Sequence, residues 1–266
     1  MVKQIKTRFR AWVKKLLRGK YRALYLDLMV RCLSGTIYQD RPLQTAWGSK
    51  TYSAELRESG LDWPSQAHSM IGVKRLNNLR TLAEIVIWRR VPGDFIETGV
   101  WRGGACILMR AVLKAYGLKN RRVWVADSFA GLPPPDSANY PADEDDGFHE
   151  YPELVVALDE VKQNFARYEL LDEQVVFLQG WFKDTLPSAP IDKLAILRLD
   201  GDMYESTMDA LLALYDKISP GGYVIVDDYH VVKGCKTAVH DFLSLRNLSP
   251  TIREIDGIGV YWKVTG

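Results

Sequence analysis

From about residue 90 onward the chain alternates short apolar runs with longer stretches of helical periodicity, and this alternation restricts its fold more than any other feature. Strands that return to a parallel neighbour through a helix make a sheet covered on both faces. Strands are expected at Asp94 to Val100, Arg122 to Ser128, Gln174 to Gly180, Lys193 to Asp200 and Gly222 to Asp227. Centres such as Leu194-Ala195-Ile196-Leu197 and Tyr223-Val224-Ile225-Val226 are unbroken apolar runs, as strands buried on both sides require. Helical patterning falls at about 73–90, 103–117, 153–169, 203–218 and 235–246. Right-handed crossovers between these elements predict a doubly wound α/β sheet. Two more strand-like pieces flank Asp256-Gly257 in the tail, Thr251 to Val264, and a hairpin there would give the sheet an antiparallel edge.

Residues 1–60 read differently, as an added helical extension before a single domain over 61–266. The net charge of +2 hides nine basic residues, Lys3 to Arg22, that precede the first acid, Asp27, and leave 26 basic against 33 acidic residues in the rest. Phe9, Trp12, Val13, Leu16 and Leu17 interleave that basic stretch, which suits either a membrane or nucleic-acid surface or, as the plainer reading, a solvated or partner-facing helix. With 47% hydrophobic and 26% charged residues the chain can bury one sizeable core. No run reaches the roughly 18–20 apolar residues of a membrane span, and no secretory leader is recognisable. Cys32, Cys106 and Cys235 are odd in number and scattered, which argues against a disulfide framework or zinc cluster and for a reducing cytoplasm.

The first strand runs into Glu97-Thr98-Gly99-Val100-Trp101-Arg102-Gly103-Gly104, followed by a helix. Glycine there allows close ligand approach, and a helix N-terminus offers free N–H groups to a carboxylate or phosphate. The spacing departs from the G-x-G-x-x-G of dinucleotide binders, and Glu97 would repel a pyrophosphate. A cofactor carrying an ammonium group, such as S-adenosylmethionine, suits the turn better. Asp127 ends the second strand where a ribose-binding acid belongs, with a turn or cap aspartate as the alternative. Gly180-Trp181 ends the third, with Trp181 either stacked on a base or part of the core.

The fourth and fifth strands both end in acid, Asp200-Gly201-Asp202 and Asp227-Asp228. Carboxylates converging at one sheet edge repel unless a cation neutralises them, and all-oxygen ligands select a hard ion, Mg²⁺ foremost, with Ca²⁺ or Mn²⁺ also admissible. Asp227 and Asp228 can share one ion only if the strand has already ended, because successive strand residues face opposite ways. Asp202 is the candidate general base, with a cap of the following helix as the alternative. His149, in the proline-rich acidic loop Gly131 to Pro152, is the second candidate.

Three stretches, Pro92 to Ala105, Gly180 to Pro187 and Leu197 to Thr207, together with Val226-Asp227-Asp228-Tyr229, resemble the macrocin O-methyltransferase family across residues 60–266. The resemblance implies a Rossmann-like class I methyltransferase sheet, S-adenosylmethionine and Mg²⁺ as cofactors, and a sugar hydroxyl on a glycosylated secondary metabolite of macrolide or aminocoumarin type as acceptor. It implies Asp200, Asp227 and Asp228 as metal ligands and Asp202 as base. Cofactor contacts are expected from Met70, Glu97, Thr98, Gly99, Arg102, Gly103, Asp127, Ser128, Gly180, Trp181 and Asp200. It also implies a homodimer or larger homo-oligomer, the first 60 residues helping to cover the site. Met203 stands where related catechol-type enzymes have a lysine, which removes a lysine base. Rival readings are a nicotinamide-dependent dehydrogenase and an inactive cofactor-binding scaffold. Nucleic acid as substrate is disfavoured by the net acidic catalytic part.

Overall fold

The computed structural model describes residues 19–44 and 50–265, so most of the basic stretch lies outside the described residues. Helix α1 covers 19–33 and a short helix α2 covers Ala54–Ser59. The alternating pattern then unfolds as α3 (Gly72–Trp88), β1 (Asp94–Thr98), α4 (Gly104–Tyr116), β2 (Val123–Asp127), α5 (Leu158–Arg167), β3 (Val175–Gln179), α6 (Phe182–Thr185), β4 (Leu194–Leu199), α7 (Tyr204–Leu214), β5 (Ile218–Val226), α8 (Lys233–Leu245), β6 (Arg253–Glu254) and β7 (Val260–Lys263).

The seven strands form one sheet in the order β3-β2-β1-β4-β5-β7-β6. The first five run parallel, and β7 returns antiparallel to β5 with β6 beside it, as the tail hairpin predicts. Residue parity sorts the strands onto two cores. Phe95, Val125, Ile196 and Ile225 face α1, α3, α4 and α5, whereas Ile96, Trp124, Leu197, Val224 and Trp262 face α7 and α8. The order reverses between β1 and β4, and a crevice at the carboxyl ends of strands is expected at that switch point.

Two stretches depart from expectation. The pattern over 153–169 becomes a 3₁₀ turn, Pro152–Leu154, with α5 beginning only at Leu158. Strand β5 starts at Ile218 instead of Gly222, and its register against β4 shifts between Leu194 and Ile196, opposite Pro220-Gly221, which periodicity cannot reveal.

Candidate functional site

A cavity of about 680 Å³ opens at the switch point. It is bounded by the ends of all five parallel strands, by Ser69 to Ile71 ahead of α3, and by the loop that follows β2. Its volume falls within the usual range for a small-molecule site.

At the β1 end the chain turns through Gly99, with φ 88°, and enters α4 after Gly103. A Cβ on Gly99 would collide with the backbone carbonyl of Asp200, so this glycine is needed for the approach of the β1 and β4 ends as well as for any ligand. The α4 N-terminus has no side-chain cap, and its first residues Gly104 and Ala105 line the cavity. Uncapped N–H groups there suit a carboxylate. Asp127 also lines the cavity while serving as a turn residue, accepting from Val100 N and Phe129 N, both at 2.7 Å. Burial raises its pKa, opposed by those backbone bonds.

The reactive end is a charge network built by strand parity. Glu97 and Arg198 are register partners on β1 and β4, and Asp200 and Asp227 follow on the same face. Arg198, 1% exposed, donates to Glu97, to Asp200 Oδ2 at 2.7 Å, and to Asp227. Arg75 on α3 donates to Asp227 and to Asp256 Oδ2 at 3.1 Å. The second oxygen of Glu97 accepts from the Cys106 thiol at 2.9 Å. Much of the expected repulsion is therefore answered by two arginines that the charge argument overlooked. A guanidinium inside the apolar run of β4 was the available signal, since a buried arginine must be paired.

Among the described residues no arginine hydrogen-bonds Asp202 or Asp228, although the charge of Arg75 acts on Asp228. Strand β5 ends at Val226, so Asp227 and Asp228 both turn inward, as one shared ion would require. One oxygen each from Asp200, Asp227 and Asp228 lies within 4.8 Å of the others, and Asp228 Oδ2 is buried with no hydrogen-bond partner among the described residues. Burial first, and then neighbouring carboxylates, push Asp200 and Asp228 well above the ordinary range. Asp202 is in hydrogen-bonding contact with Asp228 and is pushed up to about 8, by burial and then by Asp200. An orphaned buried carboxylate oxygen within an all-oxygen set fits a hard divalent cation.

Among the expected contact residues, Met70, Glu97, Gly99, Asp127, Ser128, Gly180, Trp181, Asp200, Asp202, Asp227 and Asp228 line the cavity. Thr98, Arg102, Gly103 and His149 do not. Thr98 bonds the Arg198 carbonyl at 3.4 Å, and Arg102 donates to the carbonyls of Pro64 and Ala67. His149 points Nε2 toward Glu150 at 4.0 Å, and its loop neighbour Phe148 lines the cavity instead. Asp202 is not a helix cap: Met203 precedes α7 without a side-chain bond, and Asp143 caps the helix from the loop.

The chain matches the family model described as Macrocin-O-methyltransferase (TylF) over residues 22–264. It is 52% identical over 246 residues to demethyldecarbamoylnovobiocin O-methyltransferase of Streptomyces niveus, covering 91% of this chain and 94% of that one. It is 53% identical over 245 residues to 8-demethyl-8-(2,3-dimethoxy-alpha-L-rhamnosyl)-tetracenomycin-C 4'-O-methyltransferase of Streptomyces olivaceus, covering 92% and 94%. A solved structure, the O-methyltransferase NovP, superposes with a TM-score of 0.88 at 52% identity, covering 92% of this chain and all of that one. A match of this extent, on a fold whose switch-point cavity ends in paired acids, shows that the chain is an O-methyltransferase belonging to the macrocin-O-methyltransferase family.

Proposed function

We propose that this chain transfers a methyl group from S-adenosylmethionine to a sugar hydroxyl of a glycosylated natural product, using a divalent cation, Mg²⁺ foremost, held by Asp200, Asp227 and Asp228. The observation that carries the proposal is the carboxylate trio lining the cavity, with Asp228 Oδ2 buried and without a hydrogen-bond partner among the described residues. The sugar acceptor is supported by the Streptomyces olivaceus relative, a 4'-O-methyltransferase named for a rhamnosyl-bearing tetracenomycin.

When bound, S-adenosylmethionine supplies an activated methyl group, and the cation supplies charge that orients a hydroxyl and lowers its pKa. The chain's own residues divide the remaining work. The uncapped α4 N-terminus and the walls at Met70, Asp127, Ser128 and Trp181 hold the methyl donor. Asp202 lines the cavity beside the trio and takes the hydroxyl proton at its carboxylate, in preference to His149, which stands outside the lining. Water exclusion falls to Phe148, Leu154 and Pro134 of the loop and to Trp63 ahead of α3. Holding the reactants in line is worth on the order of 7–11 kcal/mol of the barrier. The segment 1–60 would help cover the site and contact other copies of the chain, its Gly60 lining the cavity.

The test is a screen of glycosylated acceptors for a donor-dependent mass gain of one methyl, with and without EDTA. Chelation is expected to abolish transfer and leave donor binding intact. Transfer that survives complete metal removal would sink the cation's role, and binding without turnover, unaffected by Asp202→Asn, would favour an inactive scaffold.

A further inference from the structure

The loop between β2 and α5 carries the acidic run Asp143 to Asp146, which charge alone would send to solvent. Asp143 is instead 2% exposed. Its Oδ1 accepts from Tyr204 N at 2.6 Å and its Oδ2 from Glu205 N at 3.1 Å. The residue before α7, Met203, supplies no capping oxygen, so Asp143 performs across the loop what a local N-cap does, with a charge favourable to the helix dipole.

Gly234 in the first turn of α8 leaves the room, since a Cβ there would press on Asp143 Oδ1 and stand 3.0 Å from Tyr204 N. The Tyr140 and Tyr204 rings lie 6.0 Å apart and add a second contact. Five residues beyond Asp143, Phe148 forms cavity wall. The helix capped in this way begins two residues after Asp202, which holds a left-handed φ of 57°. Aspartate enters this region more readily than most side chains but still at a cost, so neighbours that hold the turn help to keep it there.

We propose that Asp143 is a positioning residue whose cap on α7 fastens the loop over the cavity and fixes the Asp200 to Met203 turn together, so that Asp202 is aimed only while the loop is down. The proposal rests on the reading of Asp202 as proton acceptor.

The test uses the full chain with Asp143→Asn, which keeps one side-chain oxygen, Asp143→Ala, which keeps none, and Gly234→Ala, which crowds Asp143 from outside. Expected is a graded loss of kcat, the alanine variant falling on the order of tenfold to a hundredfold and asparagine recovering part of it. KM for the methyl donor should not change, because the β1–α4 turn is untouched. Amide hydrogen exchange should rise at Tyr204 and Glu205, in residues 140–148 and in the Asp200 to Met203 turn, and not in α4. Full kcat in the alanine variant, donor KM rising in step with lost kcat, or faster exchange confined to the loop would each overturn the proposal. Exchange needs no turnover, so an inactive wild type with this exchange pattern would count against the methyl-transfer reading alone.

Discussion

Arg198 and Glu97 face each other across β4 and β1 as a fully buried ion pair, and the same guanidinium reaches Asp200 and Asp227, which line the cavity. The arginine is thus both a core residue and the positive floor of the candidate metal site. Removing it takes the hydrogen-bonded arginine from Glu97 and Asp200, while Asp227 keeps Arg75, and breaking a buried pair costs about 3–5 kcal/mol. Arg198→Met should lose that much in urea unfolding, and adding Glu97→Gln should recover part of it. A loss under about 1 kcal/mol in the single variant would show that the network contributes little to stability.

The trio and its neighbour should separate experimentally. Titration calorimetry with Mg²⁺ or Mn²⁺ should show Asp228→Asn weakening cation binding by on the order of tenfold or more, because ligand charge sets affinity at such sites. Asp202→Asn should bind the cation nearly as well as wild type and lose kcat. Equal cation affinity in all three proteins would place the ion elsewhere.

His68 should make stability depend on pH. Its Nδ1 is 2.9 Å from the Tyr168 hydroxyl, and its pKa is lowered to about 4 by burial first and then by the charges of Arg167 and Arg102. The unfolded chain takes up this proton near pH 6.5 and the folded chain only near 4, so the His68 contribution to stability falls as pH drops through that window and is constant above it. Linkage puts the whole loss at no more than about 3 kcal/mol. Between pH 7.5 and 4.5 the denaturant midpoint of the wild type should drop relative to that of His68→Gln, and parallel pH curves for the two would contradict the assignment.

Gly99→Ala should be costly for two separable reasons, a positive φ and a Cβ driven into the Asp200 carbonyl. About 3 kcal/mol or more is expected from strain and overpacking combined. Gly147→Ala, where a Cβ meets nothing within 4 Å, serves as the neutral control in thermal unfolding. If the alanine at Gly99 is equally neutral, the β1 and β4 ends are not as close as described.

Much of this was legible in the chain because it is local. Apolar runs such as Leu194 to Leu197 read as strands buried on both faces, and the acids that close the fourth and fifth strands stand out by position, while naming Asp200, Asp227 and Asp228 as metal ligands came from the family resemblance. The resemblance carried by Pro92 to Ala105 and Leu197 to Thr207 pointed to the family that the comparisons show. Asp202 ranked before His149 as candidate base on strand position alone, and that His149 stands outside the cavity lining was not legible, since a loop residue's distance from a cavity leaves no periodic trace.

The amino-acid order by itself thus determined the alternation of strands and helices, the doubly wound class of the sheet and the acids at two strand ends, all set by neighbours along the chain. The tertiary structure alone decided how that charge is balanced. Arg75 comes from α3, far earlier in the chain than the Asp227 it binds, Arg198 serves one carboxylate on β1 and two just past the ends of β4 and β5, and Asp143 crosses a loop to cap α7. Those partners are chosen by which groups must lose water together when the sheet and helices close, and no spacing along the chain encodes that choice.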